Sequence, residues 1–185
     1  MTTYISILRG INVSGQKKIR MEDLKALYEG LGFSRIITYI QSGNVIFKTA
    51  PGLRISGLSE KIEKAIEEKY HFHVPVIIRT DNEINRILSS NPFLKEQGII
   101  LEKLHVTFLE KKPEPIDIKE IQKFNFPPDA FHIIGKEVYL YCLGGYGNTK
   151  LSNTFFENKL RVRATTRNWN TVGKLVELAG EESYC

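Results

Sequence analysis

The chain has 185 residues, 42% hydrophobic and 25% charged, which is the composition of an ordinary folded protein and argues against extended disorder. That length suits one medium domain or two small ones sharing a core. The net charge of +5 favours anionic partners such as nucleic acid, nucleotides or acidic metabolites, and no apolar run approaches the ~20 residues of a bilayer span.

The elements follow in chain order. Thr3 to Leu8 (TYISIL) predicts a strand, and the polar loop Ile11 to Arg20 follows it. Met21 to Leu31 places Leu24, Leu27, Tyr28 and Leu31 at helical spacing, with Glu22 and Asp23 at the favourable end of the dipole and Gly32 as a stop. Arg35 to Ile40 and Val45 to Lys48 predict a hairpin around Gln41-Ser42-Gly43-Asn44. A helix over Leu58 to Tyr70 and a strand over His73 to Arg79 complete a β-α-β-β-α-β order. Pro75 puts that last strand at an edge, where a missing N–H does no harm. A further helix spans Asp81 to Leu88.

The second half repeats the order. The predicted elements are a strand over Leu104 to Leu109, a helix near Ile116 to Phe124, and a hairpin of Asp129 to Ile134 with Glu137 to Cys142. A helix over Lys150 to Leu160, a short strand over Arg161 to Thr165 and a final helix over Asn168 to Ala179 follow. Val74, Arg79 and Asn82 recur as Val162, Arg167 and Asn170 at a constant offset of 88. The expectation is therefore an α+β fold of two tandem ferredoxin-like subdomains, each with a mainly antiparallel sheet, plus a C-terminal helix. Residues 1–90 form the first with a trailing helix, 91–101 a linker, and 102–185 the second.

Topology gathers the polar residues. In such a unit, the loop after the first strand and the hairpin turn leave one end of the sheet. That sets Arg9 and Asn12 beside Gln41, Ser42 and Asn44, with Lys17, Lys18 and Arg20 nearby. In the second half the unusual residues gather at the opposite end. They are the Gly144-to-Lys150 loop and the run Thr165-Thr166-Arg167-Asn168-Trp169-Asn170. Both precede predicted helices, whose free N–H groups favour an anion, and Lys150 and Arg167 add charge. A pseudo-twofold relation between the halves would bring these two ends to one cleft.

Leu8-Arg9-Gly10-Ile11-Asn12-Val13, Tyr39-Ile40-Gln41-Ser42-Gly43-Asn44-Val45 and Thr165-Thr166-Arg167-Asn168-Trp169-Asn170-Thr171-Val172 resemble the signatures of the domain-of-unknown-function family 1697. Gly147-Asn148-Thr149-Lys150 resembles that family's Gly-x-Ser/Thr-Lys segment. The resemblance spans nearly the whole chain. It implies a two-part α+β fold and a bacterial, cytoplasmic setting, and it implies no activity.

Each polar group has a plain structural role to weigh against a functional one. Asn168 or Thr166 caps the last helix and Trp169 covers the core, or Trp169 stacks on a base while Arg167 holds phosphate. Gln41, Ser42 and Asn44 build a turn, or bind a ligand. The loop ending in Thr149-Lys150 lacks the order of a P-loop. His71 and His73 have no third metal ligand beside them, and nothing points to a metal or cofactor. No nucleophile elbow or paired carboxylates are present. MTTYISILRG lacks the features of an export signal, so the expected setting is cytoplasmic, with Cys142 reduced and buried.

Three classes of function remain open. The first, and preferred, is binding of an anionic ligand (nucleic acid or nucleotide). The second is an enzyme acting on a small phosphorylated or carboxylated metabolite in a cleft between subdomains. The third is a structural or protein-interaction module. No membrane partner is expected, and neither a reaction nor an oligomeric state can be read from the sequence.

Overall fold

The structure is a computed structural model that describes residues 2–50, 52 and 54–181. Cys185 lies outside the described residues. The chain divides into two compact units, Met1–Asn85 with Lys174–Cys185, and Arg86–Gly173.

The first unit runs β1 (Thr2–Leu8), α1 (Met21–Gly30), β2 (Ser34–Tyr39), β3 (Asn44–Thr49), α2 (Ile55–Tyr70), β4 (Val76–Thr80) and the start of α3 (Asp81–Ser89). Its sheet has the order β2-β3-β1-β4, antiparallel throughout. The edge position of β4 agrees with Pro75, whose carbonyl accepts from the Arg9 N–H. Alternation along the strands sends Tyr4, Leu8, Val45, Phe47, Val76 and Ile78 into one core with Leu24, Leu27 and Tyr28 of α1 and Leu58, Ile62 and Ile66 of α2. Helix α1 ends where Gly32 takes φ +81°, its N–H donating to the Glu29 carbonyl and the Phe33 N–H to the Tyr28 carbonyl. That is the hydrogen-bond pair of a Schellman stop.

The second unit repeats the plan with β5 (Leu104–Leu109), α4 (Pro115–Ile121), β6 (Ala130–Ile134), β7 (Glu137–Tyr141), α5 (Asn153–Leu160), β8 (Ala164–Asn168) and the start of α6 (Trp169–Glu181). Its sheet order, β6-β7-β5-β8, is the same. β4 and α3 map onto β8 and α6 at the offset of 88 seen in the sequence. The match reaches single hydrogen bonds. Arg79 is 1% exposed and donates from Nη1 to the Ile78 carbonyl at 2.9 Å. Arg167 is 8% exposed and donates from Nη1 to the Thr166 carbonyl at 2.8 Å.

Several boundaries differ from expectation: α2 starts at Ile55 rather than Leu58, β4 at Val76 rather than His73, and α4 ends at Ile121 rather than Phe124. The expected linker, 91–101, includes packed residues. Asn91 and Phe93 are buried, and Phe93 packs on His132 and Tyr141 within the second unit. The last part of α6 belongs to the first unit. Helix α5 starts at Asn153, three residues after Lys150, because the Ser152 hydroxyl caps it by accepting from the Phe155 N–H. Strand β8 lies three residues beyond the expected Arg161 to Thr165, since Arg161 is the left-handed residue that ends α5. Thr165-Thr166 is thus strand, as β-branched residues favour, and pairs with Phe108 and Thr107. Among the described residues no helix is long and apolar enough to cross a membrane.

Candidate functional site

The first polar cluster forms as topology requires. The Leu8 N–H donates to the Gly43 carbonyl at 2.8 Å, closing the β1 end onto the β2–β3 turn. Asn12 ties the loop together. Its Oδ1 accepts from the Ile19 N–H at 2.9 Å, and its Nδ2 donates to the carbonyls of Ile19 and Gln41 at 2.9 and 2.8 Å. Asn44 is fully buried and donates from Nδ2 to the Tyr39 carbonyl and to Ser42 Oγ. Lys17 Nζ donates to the His73 carbonyl at 2.7 Å. Gly43 takes φ +79°, and a Cβ there would sit 2.6 Å from Ile11 Cδ1 and 2.9 Å from Leu8 Cβ. The amides of Asn12 and Asn44 therefore hold the loop and the hairpin turn, and the Lys17 ammonium ties the loop to the segment before β4. Arg9 is half-buried and Gln41 exposed.

The run Thr165 to Asn170 divides between interior and cap. Asn168 Oδ1 accepts from the Thr171 N–H at 2.8 Å and caps α6. Trp169 is buried, at 7% exposed, which leaves its ring no free face for stacking on a base. Burial pushes the Arg167 guanidinium down to about 10, and its Nη1 also donates to Thr165 Oγ1. Arg167 and Trp169 are thus interior residues, while Asn170 is exposed on α6. Of the two readings of Trp169, burial favours the covering of the core, because the tryptophan starts a helix whose apolar side, Trp169, Val172 and Leu175, is buried.

On the helix-covered face of the second sheet lies a polar network centred on Thr166, a candidate cap in the sequence that here bonds to side chains instead. The Thr166 hydroxyl donates to Asn153 Oδ1 at 2.7 Å and accepts from the Tyr146 hydroxyl at 3.0 Å. With that proton committed, the Thr107 hydroxyl 2.7 Å away donates to Thr166. Tyr146 also stacks on the His105 ring, centroids 5.1 Å apart. Burial lowers the His105 pKa and so favours the neutral ring.

An open pocket of about 420 Å³ lies beside the Gly144-to-Lys150 loop. Its floor and walls are Asn125, Phe126, Pro127, Pro128 and Asp129 on one side, and Gly144, Asn148 and Lys150 on the other. Asp129 holds the two sides together. One carboxylate oxygen accepts from the Leu143 N–H at 3.0 Å and the other from the Thr149 hydroxyl at 2.5 Å. Asn148 Nδ2 donates to the Gly144 carbonyl and keeps its own loop in shape. Lys150 is exposed at the rim. Of the residues singled out in the sequence, the pocket gathers Gly144, Asn148 and Lys150, all from one loop. The Asn125-to-Asp129 wall was missed. Its one signal was an aromatic-Pro-Pro-Asp run, a turn former with a ring attached. Among the described residues, no group of three or more metal-ligating side chains comes together.

Comparison with known proteins follows the fold. Residues 1–139 match the family described as "Protein of unknown function (DUF1697)". The structure is similar to that of the conserved bacterial protein SP0830 from Streptococcus pneumoniae, with a TM-score of 0.71 and 20% identity over 96% of this chain and 98% of that one. At that identity the likeness concerns the fold. No curated protein sequence matches the chain.

Proposed function

We propose that this chain, which belongs to the DUF1697 family of unknown function, binds an anionic ligand of the nucleotide class in the pocket beside Lys150. The observation that carries the reading is the composition of that pocket. A volume of about 420 Å³ falls in the range of small-molecule sites. Phe126, Pro127 and Pro128 offer an apolar wall for a flat ring, Asn125 and Asn148 line the polar side, and Lys150 stands at the rim as a cation for phosphate. Asp129 receives two hydrogen bonds from the protein. These offset its charge and leave it able to accept from a base or sugar N–H or O–H. An inorganic anion would use only the lysine, whereas a nucleotide matches every group present.

The competing cluster around Asn12 and Asn44 supports binding less well, because its amides already hold loop backbone. The test is calorimetric titration with AMP, UMP, adenosine and inorganic phosphate. The nucleotides are expected to bind more tightly than either fragment. Lys150→Ala is expected to weaken nucleotide binding about 10- to 100-fold, the worth of one charge-assisted hydrogen bond, with no change in melting temperature. Absence of heat with both nucleotides at millimolar concentration, or identical affinity in Lys150→Ala, would refute the reading.

A further inference from the structure

The pocket wall does not stop at Phe126. The Phe126 ring stacks on Phe124 with centroids 6.3 Å apart and planes 18° from parallel. Phe155 braces both rings edge-on, at 5.7 Å from Phe124 and 5.3 Å from Phe126. Phe124 is 38% exposed, unusual for a phenylalanine in a chain with a formed core. Lys159, one turn beyond Phe155 on α5, holds its ammonium 4.3 Å from the Phe124 centroid. A line of groups therefore leads out of the pocket: Lys150, the pocket, Phe126, Phe124, Lys159.

We infer that the ligand is a single-stranded polynucleotide, with one nucleotide in the pocket and the next base stacked on Phe124. This rests on the nucleotide reading of the pocket. The chemistry is the alternation that single strands require, aromatic faces for bases and cations for the phosphates between them. A mononucleotide has no use for an exposed ring outside its pocket. The lysine over that ring is the mobile end of a flexible side chain. Swung aside, it uncovers the face for a base and brings its ammonium to the adjoining phosphate. The net charge of +5 suits a polyanion as well. A duplex keeps its bases paired and presents none to a ring, so the arrangement selects the unpaired strand.

The experiment is fluorescence anisotropy and calorimetry on the full chain with thymidine monophosphate, dT2, dT4 and dT8, the matching uridine series, and an eight-base-pair duplex. Affinity is expected to rise about tenfold or more from monomer to dT4, since each stacked base contributes on that scale. Phe124→Leu is expected to lose that gain while leaving monomer binding unchanged. Lys159→Gln is expected to weaken dT4 and lower the slope of log K against log salt by about 0.7 in magnitude, the loss of one phosphate contact on a single strand. Equal gains in the deoxy and ribo series support a general single-strand site, and a gain in one supports a site that reads the sugar. Monomer and dT4 binding equally, both variants behaving as wild type, or the duplex binding most tightly would overturn the inference and leave the pocket reading intact. If the monomers themselves do not bind, both fall together.

Discussion

Two loop regions of this chain looked alike in sequence and differ in kind. Both are rich in glycine, asparagine and lysine, and both stand at the end of a four-stranded sheet. Around Gly10 to Arg20 and Gln41 to Asn44, the amides of Asn12 and Asn44 bond to backbone and close the loops. Around Asn125 to Asp129 and Gly144 to Lys150, one carboxylate joins the two sides and a pocket stays open between them. The helices over the two sheets differ in the same direction. α1 and α2 have 10 and 16 residues, α4 and α5 only 7 and 8. Longer helices cover their sheet with apolar side chains, whereas shorter ones leave room for Thr107, Thr166, Tyr146 and Asn153. The lesson is that polar loop composition marks an end of the fold, and the hydrogen-bond accounting decides whether that end is a lock or a site.

The comparison breaks most visibly at glycine. Gly43→Ala forces a side chain into left-handed backbone and against Ile11 and Leu8, and is expected to cost about 2–4 kcal/mol in denaturant unfolding. Gly147→Ala, whose added Cβ meets nothing within 4 Å, is expected to stay within about 0.5 kcal/mol. Equal effects would mean that the two loops are equally constrained. Next in size, Asn12→Ala removes the partners of three loop groups and is expected to destabilise by about 1–3 kcal/mol. A variant that kept its stability would show that the first loop is not a lock. Smallest in practice is a pH effect confined to the second unit. Burial pushes the Cys142 thiol up to about 11 from an ordinary 9. The folded state therefore holds this proton more tightly than the unfolded chain. Its contribution is fully present below pH 9 and is lost as pH rises through 11, on the order of 2 kcal/mol. Cys142→Ala is expected to flatten the alkaline side of the stability profile, and an unchanged profile would contradict the burial argument.

Much of the fold was legible. The spacing of Leu24, Leu27 and Tyr28, the stop at Gly32 and the edge strand after Pro75 are local signals, and each leads to the observed element. The offset of 88 between Arg79 and Arg167 marked two equivalent strand positions, down to one shared hydrogen bond. The site was legible only in part. Lys150 stood out by its glycine-rich loop, but Thr166 and Arg167, expected between a strand and a helix, lie within β8, with Arg167 buried. The wall from Asn125 to Asp129 carried no charge pattern to mark it, and His105 sat in a strand like any other.

What the sequence by itself determined was the order and type of the elements, because periodicity, caps and turn residues act within a few positions of themselves. What only the tertiary structure decided was which polar groups meet a partner and which face open space. Burial depends on residues far apart in the chain. Thr166 finds Asn153 and Thr107 across the sheet and Asp129 finds Thr149 across a pocket, and no local pattern encodes either meeting.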